Sequence, residues 1–192
     1  QGWDLRANNG GRVLCPELTL VTDSVLGVAG ATSILPTDQL RTLRSSSCFV
    51  SGGGVLRFPV LTTYETGSKP GSWTLEAADA GSVLEFPALT RLVGALAGFS
   101  ALDARALRGG RLSFPLPTSF GEGFARLLAD REGSVLDLSA LERLGAWELA
   151  ATGGGRVVCP NLTEVAGATL SLGGSKSVLP VAKVRKATAT SC

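Results

Sequence analysis

Four cysteines, three tryptophans and a scatter of carboxylates are the side chains of this 192-residue sequence whose types could do chemistry. Cys15 and Cys159 sit in matching phrases, CPELT and CPNLT, and Cys48 and Cys192 each close a Ser-Cys step. A thiolate can act as nucleophile, metal ligand or half of a disulfide. Trp3, Trp73 and Trp147 have the flat faces on which sugar rings stack. Glu85 and Asp137 are candidates for the paired carboxyl groups of glycoside hydrolysis, which must stand about 5–10 Å apart. A calcium-assisted lyase would instead need several Asp side chains converging beside a basic residue. Against all of these stands the absence of histidine. That removes the usual general base, the usual zinc ligand and any Ser-His or Cys-His pair. The glycine runs Gly52–Gly54 and Gly153–Gly155 lead into no Lys-Ser/Thr and no helix, so they are not phosphate loops.

What positions these residues is a repeat. Gln1–Cys48 aligns with Gly145–Cys192 without a gap at a shift of 144, and about 20 of the 48 positions are identical. QGWDLRANNGGRVLCPELT lies over GAWELAATGGGRVVCPNLT, and SILP over SVLP. A shorter period runs inside the long one. Pro16, Pro36, Pro59, Pro87, Pro115, Ser139, Pro160 and Pro180 follow one another at intervals of 20 to 28 residues, averaging about 23. Around them recurs one phrase, roughly Gly-x-apolar-x-apolar-Pro-x-Leu-Thr: GGRVLCPELT, GGVLRFPVLT, GSVLEFPALT, GGRLSFPLPT, GSVLDLSALE and GGRVVCPNLT. Leu84 and Phe86 share a face while Glu85 takes the other, and Leu136 and Leu138 flank Asp137 in the same way. Such alternation is the signature of a strand. A second strand follows Pro-x-Leu-Thr, and a third carries Trp-x-Leu-x-Ala, as in Trp3-Leu5-Ala7, Trp73-Leu75-Ala77 and Trp147-Leu149-Ala151.

Three short strands per coil, each of four or five residues, cannot bury a face alone. Stacked coils bury a shared core and pair each strand with those about 4.8 Å above and below. The sequence therefore predicts an all-β fold: a single-stranded parallel β-helix over residues 1–192, of about eight coils. The irregular coil length points to a right-handed solenoid. Gly10, Gly11, Gly53, Gly54, Gly109, Gly110, Gly154 and Gly155 are the predicted corners, where glycine reaches positive φ freely. Proline, lacking an N–H, belongs at a strand end. Cys15, Phe58, Phe86, Phe114, Leu138 and Cys159 fill one predicted inward slot, and Cys48 and Cys192 fall where Leu5 and Leu149 sit. Trp3, Trp73 and Trp147 share a face with inward Leu and Ala, which favours core packing over sugar stacking. Cys15 and Cys159 lie six coils apart, about 29 Å on the strand spacing, beyond the roughly 7 Å Cα limit of a disulfide. Free buried thiols and disulfides within each 48-residue segment both remain open.

The runs TLEAADAGSVLEFPALTRL, ALRGGRLSFPLPTSF, ADREGSVLDLSALERL and AATGGGRVVCPNLTEVAGATLSL resemble the repeat region of giant bacterial surface proteins. These are the adhesin-like or hemagglutinin-like proteins of planctomycetes and their neighbours. The resemblance covers most of Gly52–Gly174, with weaker copies at both ends. It implies an extracellular or cell-surface solenoid within a very long chain, and it carries no functional residue to transfer. Cysteines at core positions depart from the usual repeat.

Composition narrows the function. At 44% hydrophobic with 25 glycines, the chain is too apolar for disorder and too glycine-rich for a helical bundle. A formal charge of +2, with both signs dispersed, offers no basic stripe, so nucleic acid is not an expected partner. No apolar run is long enough to cross a bilayer, and membrane insertion is not expected. The opening Gln1-Gly2-Trp3 and the lack of methionine suggest a processed product or a piece of a longer chain. The expectation is a structural or adhesive rod rather than an enzyme, without cofactor, associating end to end or continuing in a longer array. Surface glycans are a further candidate partner. The alternative is a carbohydrate-active β-helix, a lyase or a tailspike-like hydrolase. Ala187-Thr188-Ala189-Thr190 alone hints at the Thr-x-Thr ladder of an ice-binding face.

Overall fold

Alternation decides which way each side chain faces. Along Ser72–Ala78, Trp73, Leu75 and Ala77 are buried while Thr74 and Glu76 are half-exposed. The same pattern in Ser47–Ser51 buries Cys48 and Val50. Each such strand is apolar on one side only, so it is stable only where neighbours close that side. This computed structural model describes residues 2–98 and 100–188, and its strands supply those neighbours by stacking.

The longest sheet has eight parallel strands in sequence order: Asp4–Asn8, Val25–Ala29, Ser47–Ser51, Ser72–Ala78, Ala101–Leu107, Ala125–Asp130, Glu148–Thr152 and Thr169–Gly173. Each opens one coil, numbered here 1 to 8. Neighbouring strands are offset by 21 residues at the start and by as many as 29 in the middle, so the chain travels once around before pairing with itself. Asp4 and Glu148 occupy the same column six coils and 144 residues apart, which accounts for the long sequence period. A second side is a five-stranded sheet from Val55–Arg57 to Arg156–Val158. The third side is split into two four-stranded sheets, one ending at Arg91–Val93 and the other beginning at Ser119–Phe120. The named strands pair in parallel, no helix occurs among the described residues, and the arrangement is that of a parallel β-helix. A lone antiparallel bridge, Ala95 to Phe124, lies where the third side is split.

The sides are unequal, whereas the sequence predicts three of similar length. The Trp-x-Leu-x-Ala side has strands of five to seven residues; the others have two or three. Turns take up the rest of each coil. In six coils an amide bonds back to the carbonyl three residues earlier, as in Leu18 to Cys15 (3.1 Å), Leu89 to Phe86 (3.2 Å) and Leu162 to Cys159 (3.2 Å). Pro16, Pro87 and Pro160 follow the acceptor in these turns, a position whose φ proline pre-sets and where no N–H is needed.

Parallel stacking in register places like residues about 4.8 Å apart, and identical rings at that spacing must stack. Phe58, Phe86 and Phe114 do so, with centroids 4.9 and 5.1 Å apart and planes within 8° and 18°. Phe120 turns its edge to Phe114, and Trp147 stacks on Phe120 at 4.8 Å.

At one corner the columns follow a rule of two. Position by position, coils 1 to 8 carry Gly11, Ser33, Gly54, Ser82, Gly110, Ser134, Gly155 and Ser177. The residue before each of these glycines, Gly10, Gly53, Gly109 or Gly154, has positive φ and donates its N–H to the serine hydroxyl of the next coil at 2.9–3.0 Å. Ser33, Ser134 and Ser177 in turn donate that hydroxyl to the carbonyl four residues back. On their other side the glycine coils 3, 5 and 7 approach the preceding serine coil closely. A Cβ on Gly110 would lie 2.2 Å from the Ala77 carbonyl oxygen, and one on Gly155 2.1 Å from that of Ala129. The repeating unit is therefore a pair of coils.

Two substitutions separate these roles. Gly155→Ala is expected to destabilise by about 2–3 kcal/mol or more through overpacking. Ser134→Ala should cost about 1–3 kcal/mol by stranding the Gly109 amide. Gly98→Ala, which meets nothing within 4 Å, should stay within about 0.5 kcal/mol of wild type in denaturant unfolding.

Candidate functional site

The outward side chains carry the charge, and they stack in columns that alternate with those of the core. Ten of the twelve ion pairs among the described residues join different coils. One chain of them runs Arg44–Glu65–Arg91–Glu122, the last pair at 2.6 Å. Glu76 meets Arg105 at 2.8 Å and Asp103 meets Arg126 at 2.7 Å on the long sheet. The Arg108 guanidinium, hydrogen-bonded to Asp79 at 2.8 Å, holds that carboxyl below its usual range, and Lys186 does the same to Glu164.

Glu85 and Asp137, the acidic pair singled out from the sequence, share a column with Ser113 between them. Glu85 pairs with Arg57 at 3.7 Å, and Asp137 is bound by Arg111 while the Ser113 hydroxyl approaches it at 3.4 Å. Both carboxylates are thus engaged by neighbouring coils. Among the described residues no three His, Cys, Asp or Glu side chains converge as metal ligands would. Asn161, in its Asn-x-Thr phrase, donates its side-chain amide to the Ser139 carbonyl of the coil before it at 2.9 Å.

Among the described residues three cysteines are free thiols: Cys48 and Cys159 are buried and Cys15 is half-buried. Burial pushes the Cys159 thiol up to about 11 and the Cys48 thiol higher still. Tyr64 is equally enclosed; burial raises its pKa, and its hydroxyl donates to the Ser46 carbonyl at 2.6 Å. Cys192, Ala189 and Thr190 lie outside the described residues, as does the Thr-x-Thr hint they completed.

Phe58, Phe86, Phe114, Leu138, Trp73 and Trp147 are buried. Gly10, Gly53, Gly109 and Gly154 have positive φ, and Gly11, Gly54, Gly110 and Gly155 follow them at the Gly/Ser corner. Trp3 corrects the sequence reading. It is 69% exposed, whereas Trp147, its equivalent one long period later, is fully buried. What buries Trp147 is the stack before it, because its ring lies on Phe120 and its indole N–H donates to Gly123 at 3.0 Å. Trp3 is in coil 1, with no coil on that side in this structure. Cys15 differs from Cys159 for the same reason: it occupies the inward slot without a lid.

That uncovered end holds an apolar hollow of about 340 Å³ lined by Trp3, Leu5, Cys15, Leu18, Leu20 and Val21. A wider depression of about 580 Å³ lies beside the loop that splits the third side, lined by Ala95, Leu96, Ser100, Gly123 and Arg126 among others. Sequence reasoning missed the corner serines, although their alternation with glycine is written in the phrases GGR, TSI, GGV, GSV, GGR, GSV, GGR and KSV. Comparison with protein-family models, with curated proteins and with solved structures gives no match.

Two measurements probe these environments. In the native protein, peptide-resolved alkylation at about pH 8 should modify Cys15 at least tenfold faster than Cys48 or Cys159, with the difference vanishing in denaturant. The depressed carboxyl of Asp79 adds stability that is present above the unfolded carboxylate pKa of about 4 and is lost as pH falls through the lower folded value. The small stability gap between wild type and Asp79→Asn should therefore close in acid, and also in high salt because the pair is exposed.

Proposed function

We propose that this chain is a structural element, a stiff spacer or adhesive stalk of the cell surface or extracellular space, and that its work is mechanical. The observation that carries the reading is the use of the polar side chains: ten ion pairs bind coil to coil, as do the corner serines, whose hydroxyls take glycine amides from the coil before. Groups committed to neighbouring coils resist bending and sliding of the stack. The named strands pair with those of adjacent coils, and Lys176 reaches across to Glu132 two coils away, so stiffness extends with coil number. The resemblance of the repeats to those of giant bacterial surface proteins supports the extracellular location. Surface glycans are proposed as what such a stalk would meet.

The test is a distance. Dyes placed through Arg12→Cys and Lys176→Cys in a Cys15→Ser background sit seven coil steps apart, about 34 Å on the strand spacing. A stiff spacer gives one narrow single-molecule distribution that a panel of polysaccharides leaves unchanged. A broad distribution would remove the mechanical reading. Cleavage of a polysaccharide, abolished by Asp137→Asn, would replace it with a carbohydrate-active one.

A further inference from the structure

The long sheet, whose strands run to seven residues, gives the solenoid its broadest outward face. From coil 2 to coil 7 the middle outward column of that face reads Gly27, Phe49, Glu76, Arg105, Leu128 and Ala150. Read from either end, the order is small, large apolar, charged. The two charges at its centre are of opposite sign. Phe49 and Leu128 are only half-buried. The neighbouring outward column has the same arrangement about the same centre, with Ala78 and Leu107 inside and Ser51 and Asp130 outside them. A face ordered in this way is complementary to itself. Turned over about an axis that lies along the strands between coils 4 and 5, it meets its own counterpart.

The charge at that centre is incompletely served within the chain. Arg105 gives Nη2 to Glu76 at 2.8 Å. Its Nε lies covered against the sheet without an acceptor, and among the described residues it is the single buried side-chain nitrogen or oxygen in that condition. Lifted from the sheet, the planar fork has a donor to spare for a second carboxylate.

We propose that two copies of this chain pair side by side through this face, with their long axes antiparallel. Glu76 of each copy then faces Arg105 of the other, Phe49 packs on Leu128, Ala78 on Leu107, and the Ser47 hydroxyl comes opposite Arg126. At the adjoining corner Asp79 comes opposite Arg108. No like charges oppose one another in these columns. A slip of one coil in one direction sets Arg105 on Arg105, and in the other Glu76 on Glu76, so the central pair fixes the register. Over six coils the face measures about 20 Å by 29 Å, so a pair buries roughly 1,200 Å², the low end for a specific interface. The association is therefore weak and reversible. For a stalk standing on one surface, an antiparallel copy is one reaching from a facing surface. The pairing thus names a partner for the adhesive reading, and in that use it rests on it.

Sedimentation of the wild-type chain over a concentration series should show a dimer and nothing larger, because a two-fold contact closes on itself. Glu76→Arg alone and Arg105→Glu alone should each weaken pairing at least about tenfold, since like charges then face each other. An equimolar mixture of the two should recover it to within about threefold of wild type, because each variant supplies the sign that the other lacks. That recovery also requires both variants to fold. A second measurement leaves these charges alone. Ala29→Cys chains mixed with Thr152→Cys chains, both in a Cys15→Ser background, should be joined at the two substituted positions by a short bismaleimide. Inside one chain these positions are five coil steps, about 24 Å, apart. A wild-type chain that stays single at every concentration, growth beyond two copies, a mixture that does not recover, or linkage of like positions to each other overturns the proposal. A stiff but single chain would leave the spacer reading standing and sink only the pairing.

Discussion

Everything in this molecule answers to one constraint, the rise of about 4.8 Å imposed by a parallel backbone ladder. Once strands pair in register, each side chain has its counterparts directly above and below, and every preference becomes a question about a column. Aromatic rings in a column must stack, as Phe58, Phe86 and Phe114 do. Charges in a column must alternate in sign, as Arg143, Glu164 and Lys186 do, and as do the pairs Arg57–Glu85 and Asp103–Arg126. A run of like charges would repel at every step, whereas alternation turns the exposed surface into a weak but repeated contribution to register. Each exposed pair is worth little by itself. Seven of the ten join residues of paired strands and oppose any slip, because a slip breaks many pairs together.

The corner column shows the same constraint acting on the backbone. Glycine coils come so close to the coil before them that a Cβ would collide with a carbonyl, as at Gly110 and Gly155. Were every coil built that way, the positive-φ amides of Gly10, Gly53, Gly109 and Gly154 would have lost the acceptors they use. Serine in the intervening coils supplies those acceptors and satisfies its own hydroxyl on a carbonyl four residues back. Close approach and hydrogen-bond satisfaction are met in alternate coils, and a buried amide without a partner is avoided. The 144-residue period spans six coils, an even number, as a two-coil unit requires.

Much of this was legible in the residues because a solenoid writes its geometry into a short period. The alternation in SVLEFP and WTLEAA marked strands, and the apolar positions within them marked the interior, with Phe86, Leu75 and Trp147 as examples. The Pro-x-Leu step marked the turn that closes at Leu89 and Leu162. What was not legible depends on neighbours in space. Trp3 and Trp147 have the same local phrase and opposite burial, because burial comes from Phe120 and Gly123 in earlier coils. The split third side was hidden for a similar reason. It arises where Gly94 packs against Phe124 and the chain detours, a contact between segments that no local pattern announces.

The thiols show how far column logic reaches into chemistry. Cys48 lies between Leu26 and Leu75 in its column, so its sulfur is surrounded by hydrocarbon. A thiolate there would have no counter-charge, and burial drives its pKa up accordingly. Cys159 is enclosed less completely and is raised less, to about 11. The two behave as small apolar residues filling slots that Leu and Phe fill elsewhere. Cys15 has the same chemical identity and the same slot as Cys159, yet it borders the hollow at the uncovered end. Its accessibility is therefore a property of the stack's end and not of its own phrase. Any second coil laid over that end would give Cys15 the environment Cys159 already has, which makes the reactivity of this one thiol a reporter of whether the end is covered.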